Sequence, residues 1–440
     1  MSESRNQCIE ARFLDNANYA LSRIYVPQIH LFMEFDGPLD TSRLEHALHL
    51  TMVAEPVLGC RFVPHWNTPY WAGITGKTST APPLAGEKAP DDQTGQDCLD
   101  RFLREPVQAL QGPQLKALLL RGNERDRLIV KVNHQVVDAA GAKDLGYLLA
   151  SLYRKLEACP GHVPRANGGS RSLRQVYSRF AKSRLLRILY CFFMELAHNM
   201  IPYRSMTYPS GMEGVGDYTF AFKRFSKGRV TALKAYGKKM GATINDLMAT
   251  ALLRAYARQC QWKAKGALRM VGTVDLRRYV PNHQAEALCN LSSFYFLNLG
   301  RRLGNGFDDT LRRVKNRMDM LKAKDLGLSF ALGNYLLLFP YPFVMKAFIS
   351  SKTFSMLAKT GNTPPSMTNL GTIDDKALDF GSPGVTAAEI WVPPCYPPLL
   401  VPGLSGFRNT LTLSVGYFES AIPKETLEAL FDMVDQELPR

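Results

Sequence analysis

Two stretches of alternating strand-like and helix-like patterning, divided by the Pro- and Gly-rich segment PGHVPRANGG at 160–169, set what this chain can fold into. In the first stretch, 28–35 is mostly apolar and strand-like, and 40–50 opens a helix with Leu44, Ala47, Leu48 and Met52 on one face. RLIVKV at 127–132 reads as an apolar strand, and 141–156 as a helix on which Leu145, Leu148, Leu149, Leu152 and Leu156 repeat. The warrant is periodicity: side chains alternate across a strand, whereas residues three and four apart share a helix face.

The second stretch restarts the alternation. Strands are expected at 217–225, 268–274, 292–298, 367–373, 385–392 and 410–417. Helices are expected at 242–258, behind Thr243 as N-cap, at 307–324, and after Pro423. Mixed elements in two halves of similar content predict a two-lobed α/β or α+β protein. The expected division is an N-terminal lobe over 1–160, a basic and apolar connecting segment with a helix over 161–215, and a C-terminal lobe over 216–440. Residues 75–97 have loop composition.

With 440 residues, 46% apolar and 21% charged, the chain is neither disordered nor in need of staples to hold its cores. Its eight cysteines form no CxxC and no zinc-type spacing, so reduced thiols and a cytoplasmic location are expected, with no metal site. The polar N-terminus carries no apolar leader. Residues 326–345 run twenty positions without a charge, but they hold Gly327, Gly333, Asn334, Pro340 and Pro342; the Pro-Tyr-Pro element would break a spanning helix, and a buried helix ending near Phe339 is expected instead.

The net charge of +15 is unevenly placed. Residues 161–240 hold fifteen Lys and Arg against three acids, a net +12. Such a patch suits an anionic lipid, coenzyme A or an acidic carrier protein. Nucleic acid is not expected, because no zinc finger, RNP-type aromatic motif or basic heptad is present. Within the patch, RSLRQVYSRFAKSRLLRILYCFFMELAHNM at 171–200 passes from basic to apolar. On a helical wheel Leu173, Val176, Tyr177, Phe180, Ala181 and Ile188 share one side, and Arg184 and Arg187 intrude on it. The segment reads either as a helix touching a membrane surface or a lipid-like substrate, or as one packed between lobes with solvated arginines.

Of the eight histidines, His134 alone ends an apolar strand, in KVNHQVVDAAG. A neutral imidazole at a strand end can take a proton near pH 7, and the alternative is an ordinary buried histidine. Asp138 then reads as a helix cap or as the partner of a distant arginine, and GxSxG, P-loop and GxGxxG motifs are absent.

At these residues the sequence resembles the condensation-domain and chloramphenicol-acetyltransferase superfamily, with its BAHD-type and alcohol-acetyltransferase-like enzymes. Their HHxxxDG motif is matched by Asn133, His134, Asp138, Ala139 and Gly141 as NHxxxDAxG. The first histidine is replaced by Asn133, and the motif glycine by Ala139. The resemblance extends, in order, to FDGPLDTSRLEHALHLTMVAEPVLGCRF at 35–62, EPVQALQGPQLKALLL at 105–120, GATINDLMATALL at 241–253, VDLRRYVP at 274–281, LCNLSS at 288–293, TNLG at 368–371 and DFG at 379–381. The family's DFGWG form is broken by Ser382 and Pro383.

The resemblance implies two chloramphenicol-acetyltransferase-like lobes in a V, with a channel between them and His134 at its middle. It implies His134 as general base, Asp138 as a structural support paired with Arg277, and Asn290 and Asn369 beside the channel as possible oxyanion donors. Asn133 and Gly141 would support the turn. No cofactor would be bound; acyl-CoA or a phosphopantetheinyl carrier would be the donor, and an alcohol or amine, with lipid-like ones among the candidates, the acceptor. A stand-alone monomeric acyltransferase is expected, with an amide-forming condensation enzyme or a non-catalytic carrier-binding relative as alternatives.

Overall fold

The computed structural model describes residues 8–65, 68–74, 83–200, 216–262, 267–338 and 364–440. Two sheets organise them. The first has five strands in the order Val385–Trp391, Gln28–Phe35, Asp126–Asn133, Leu115–Arg121 and Leu84–Lys88. Neighbours run antiparallel, except that Leu84–Lys88 is parallel to Leu115–Arg121. Ile29, Leu31, Met33 and Phe35 alternate with polar or aromatic neighbours, and Leu128, Val130 and Val132 occupy alternate positions on the next strand. This alternation sends one face of both strands into a core shared with the helices Thr41–Ala54 and Ala139–Ala158. The opposite face is covered by Cys98 and Phe102 of the helix Asp92–Arg104.

The second sheet has six strands, in the order Ser292–Asn298, Arg269–Asp275, Ser366–Ile373, Gly403–Phe407, Thr410–Phe418 and Tyr218–Phe225. Its core is filled by the helices Ile244–Gln259, Phe307–Ala323 and Lys424–Glu437. Thr243 caps the first of these, its side chain accepting the Asp246 N–H while Asp246 accepts the Thr243 N–H. A small sheet of Cys8–Glu10, Tyr70–Gly73 and Cys60–Val63 flanks the first lobe.

Three expectations change. The strand Val385–Trp391 does not stay with the C-terminal lobe: it pairs with Gln28–Phe35, from Val385 opposite Phe35 to Trp391 opposite His30. The chain leaves the six-stranded sheet after Ile373, adds an edge strand to the other lobe, and returns at Gly403. A division at one point in sequence therefore assigns this strand to the wrong sheet. Second, the described part of 75–97 is not a loop. Leu84–Lys88 is an edge strand, and Asp91 caps a helix beginning at Asp92, accepting the Thr94 N–H at 2.7 Å. Third, 171–200 is broken into a turn of helix at Arg174–Tyr177 and a helix at Lys182–Met200. Leu328–Leu338 is a helix, as its apolar run suggested; 339–345 lies outside the described residues. Among the described residues no helix is long and apolar enough to cross a membrane.

Candidate active site

The strand Asp126–Asn133 delivers the site and stops at Asn133. Asn133 is buried, and it donates from its backbone to the Gln114 carbonyl at 3.0 Å and from Nδ2 to Gln114 Oε1 at 2.7 Å. Its Oδ1 accepts the Gln135 N–H at 2.9 Å, which turns the chain out of the sheet. In this sequence the first motif position is therefore a backbone anchor.

His134 sits on the turn, half-buried, with its ring 5.7 Å from that of Tyr25. Its backbone N–H donates to the Pro27 carbonyl at 2.9 Å. Its Nδ1 lies 2.9 Å from the Val137 carbonyl oxygen. A carbonyl only accepts, so Nδ1 carries the hydrogen and Nε2 presents its lone pair. Burial holds the imidazole pKa below its ordinary value, against the opposing charge of Asp138, so the ring is neutral at pH 7.

Asp138 closes the turn, and it is both cap and ion-pair partner. It caps Ala139–Ala158 by accepting the Gly141 N–H at 2.9 Å, accepts the Leu291 N–H at 2.7 Å, and takes Arg277 Nη1 at 2.9 Å on each oxygen. Arg277 is 3% exposed, in the short helix Leu276–Tyr279, and also donates to the Cys289 carbonyl at 2.9 Å and Asp275 Oδ1 at 3.2 Å. Burial alone would raise the Asp138 pKa; the Arg277 charge and the hydrogen bonds outweigh it and hold the carboxyl below the usual range. A Cβ at Gly141 would lie 3.0 Å from Val137 Cβ and 3.1 Å from the Cys289 carbonyl oxygen. Glycine there lets the helix start lie close against the backbone at Cys289.

The two asparagines differ from their expected role. Asn290 is buried, but its Nδ2 donates to the carbonyls of both His134 and Gln135, at 3.0 Å each. Both amide hydrogens are used, so Asn290 clamps the turn and has none left for an oxyanion. Asn369 is exposed at a bulge in the strand Ser366–Ile373; it donates to Asn245 Oδ1 at 3.2 Å and takes no part in the hydrogen bonds around His134.

A second buried pair reaches the same turn and carried no sequence signal. Arg171 Nη1 and Nη2 meet the two oxygens of Asp15 at 2.9 and 3.0 Å, and Trp71 Nε1 donates to Asp15 at 3.0 Å. The same guanidinium donates to the carbonyls of Val136 at 3.1 Å and Leu288 at 2.8 Å. The turn 134–138 is thus gripped from two sides, by Arg277 through Asp138 and by Arg171 through Val136. In the sequence Arg171 is one basic residue among many and Asp15 an acid near a helix start; only the fold brings them together.

No family model and no curated protein matches the sequence. Solved structures do match the fold. The first condensation domain of the calcium-dependent antibiotic synthetase superposes with a TM-score of 0.71 at 16% identity, over 98% of each chain. The trichothecene 15-O-acetyltransferase of Fusarium sporotrichioides gives 0.73 at 11% identity, over 100% of this chain and 96% of that one. Polyketide synthase associated protein 5 of Mycobacterium tuberculosis gives 0.65 at 15% identity, over 97% and 98%. From end to end, with His134 on the turn where its lobe meets the segment carrying Arg277, this chain has the two-lobed fold that condensation domains share with the Fusarium acetyltransferase.

Proposed function

We propose that the chain is an acyltransferase that moves an acyl group from a thioester, of coenzyme A or of a phosphopantetheinyl carrier, to a hydroxyl or amine. The observation that carries this reading is the bond between His134 Nδ1 and the Val137 carbonyl, which leaves Nε2 as a proton acceptor on a ring kept neutral by burial. Nε2 takes the acceptor's proton as its oxygen or nitrogen attacks the thioester carbonyl carbon. The tetrahedral adduct collapses with cleavage of the C–S bond, and the imidazolium returns the proton to the departing thiolate. Positioning of both substrates supplies much of the rate, and no acyl-enzyme is needed. The likeness to a condensation domain favours a second reading within the same chemistry, amide formation on carrier-bound chains.

The test is to mix the protein with acyl-CoA and a panel of alcohols and amines, reading free thiol and acylated product. Thiol release that depends on the acceptor and is lost in His134→Ala supports the first reading. Amide product formed only when donor and amine are both carrier-bound favours the second. Binding of either donor without product, across the panel, would show a non-catalytic relative.

A further inference from the structure

The helix Lys182–Met200 turns a continuous stripe of large apolar side chains outward. Leu186, Tyr190, Phe193 and Met194 are 68%, 64%, 51% and 54% exposed. They follow one another at intervals of four, three and one, which keeps them on one helix face. The opposite face is the packed one: Ile188 and Phe192 are buried, Phe192 lies against Gly333, and Glu195 accepts a hydrogen bond from Ser329 at 2.8 Å. The neighbouring helix Leu328–Leu338 adds Leu336, 47% exposed. Among the described residues none covers the stripe.

The charges at its basic end have been sorted by the fold. Arg184 and Arg187 both pair with Asp325, at 2.7 Å each, so the arginines that intrude on the apolar face in a helical wheel are anchored to the protein on one side. Lys182 is exposed one turn before Leu186, on the outward face itself, and Arg187 remains 62% exposed while it holds Asp325. An outward helix face with a basic start and a run of Leu, Tyr, Phe and Met is the composition of an interfacial helix. A second copy of the chain fits it poorly, because each copy brings the same basic segment to the contact.

We propose that this face docks the protein on an anionic lipid surface, with Leu186, Tyr190, Phe193 and Met194 in the headgroup boundary and Lys182 and Arg187 against lipid phosphates. The proposal does not depend on the acyltransferase reading. It is tested by co-sedimentation of the whole protein with vesicles of phosphatidylcholine, with and without phosphatidylglycerol, at low and high salt. Wild type is expected to sediment with the anionic vesicles only, and less at high salt. Replacing Leu186, Tyr190 and Phe193 together with serine should weaken binding at least about tenfold. Lys182→Gln should weaken it about fivefold. Unchanged thermal unfolding would show that these exposed changes leave the fold intact. Wild type remaining in the supernatant at low salt overturns the proposal. So does an unaltered affinity in the triple variant, or a wild-type dimer that the triple variant dissolves without any vesicle binding.

Discussion

Asp138 and Arg277 stand 139 positions apart in sequence and meet as a buried pair, with Arg277 Nη1 2.9 Å from each carboxylate oxygen. The pair does not touch the reacting atoms in our reading; it joins the turn of His134 to the segment that carries Cys289 and Leu291. Removing one partner strands a charge away from water, which costs about 3–5 kcal/mol. Asp138→Asn should therefore unfold at lower temperature as well as lose activity. The sign with pH follows from the direction of the shift. The folded carboxyl is held below its ordinary value, so its contribution is complete above about pH 4 and is lost as pH falls through the depressed pKa. Thermal scans of Asp138→Asn and Arg277→Ala that match wild type would remove the pair from any account of the site.

How much of this was legible in the sequence depended on where each signal resides. Ser292–Asn298 falls where its alternation placed it, and Phe307–Ala323 is one residue shorter than expected, because both carry their pattern within a single segment. Leu84–Lys88 was missed because an exposed edge strand has little apolar alternation to show. Asp92–Arg104 was missed because its first turn is polar and only Cys98, Phe102 and Leu103 face inward with force. The exchange of Val385–Trp391 between lobes has no local signature at all, since the same residues would serve either sheet. In the candidate site, the family resemblance pointed to His134, Asp138 and Arg277, and the fold brings Asp138 and Arg277 into contact. The use of both Asn290 hydrogens on backbone carbonyls, and the Asp15–Arg171 pair, are properties of contacts more than 150 positions apart.

Arg171 offers a prediction that separates positioning from mere stability. Lysine would keep the charge near Asp15 but cannot serve two carboxylate oxygens and the carbonyls of Val136 and Leu288 at once. If Arg171 fixes the turn, Arg171→Lys should lower kcat at least about tenfold with little change in donor KM, since a misplaced base costs rate more than binding. The looser turn should also admit water, and the His134 pKa should move up toward the ordinary value of about 6.5. A variant with reduced melting temperature but wild-type kcat and an unmoved pH profile would make Arg171 structural only.

Lys131, on the strand that ends at Asn133, has no exposed surface and is directly opposite His30. Its Nζ donates to the carbonyls of Phe102 and Glu105, and burial pushes its pKa down to about 7 from 10.5. Between those two values the unfolded chain holds a proton that the folded chain does not, so stability should rise with pH across that window. Lys131→Met should flatten the rise in urea-unfolding measurements made from pH 7 upward. An equal slope in wild type and variant would mean that the amine stays charged in the fold.

The mechanism itself stands on His134. Its strand delivers it, Asn133 turns the chain, Asn290 and the two arginines hold the turn, and the Val137 carbonyl fixes the hydrogen on Nδ1. Only Nε2 is left to act. Loss of a general base costs about 10²–10⁴-fold in rate, so His134→Ala should lose acyl transfer by that margin while keeping its fold and its donor affinity. The burial-lowered pKa sets the pH dependence: kcat/KM should climb through that pKa, with its midpoint below the ordinary histidine value of about 6.5. Replacing His46, His49 or His162 should leave most of the activity. Near-wild-type transfer by His134→Ala, or an acylated serine or cysteine trapped on the wild-type protein during turnover, would require a different nucleophile and end this account of the site.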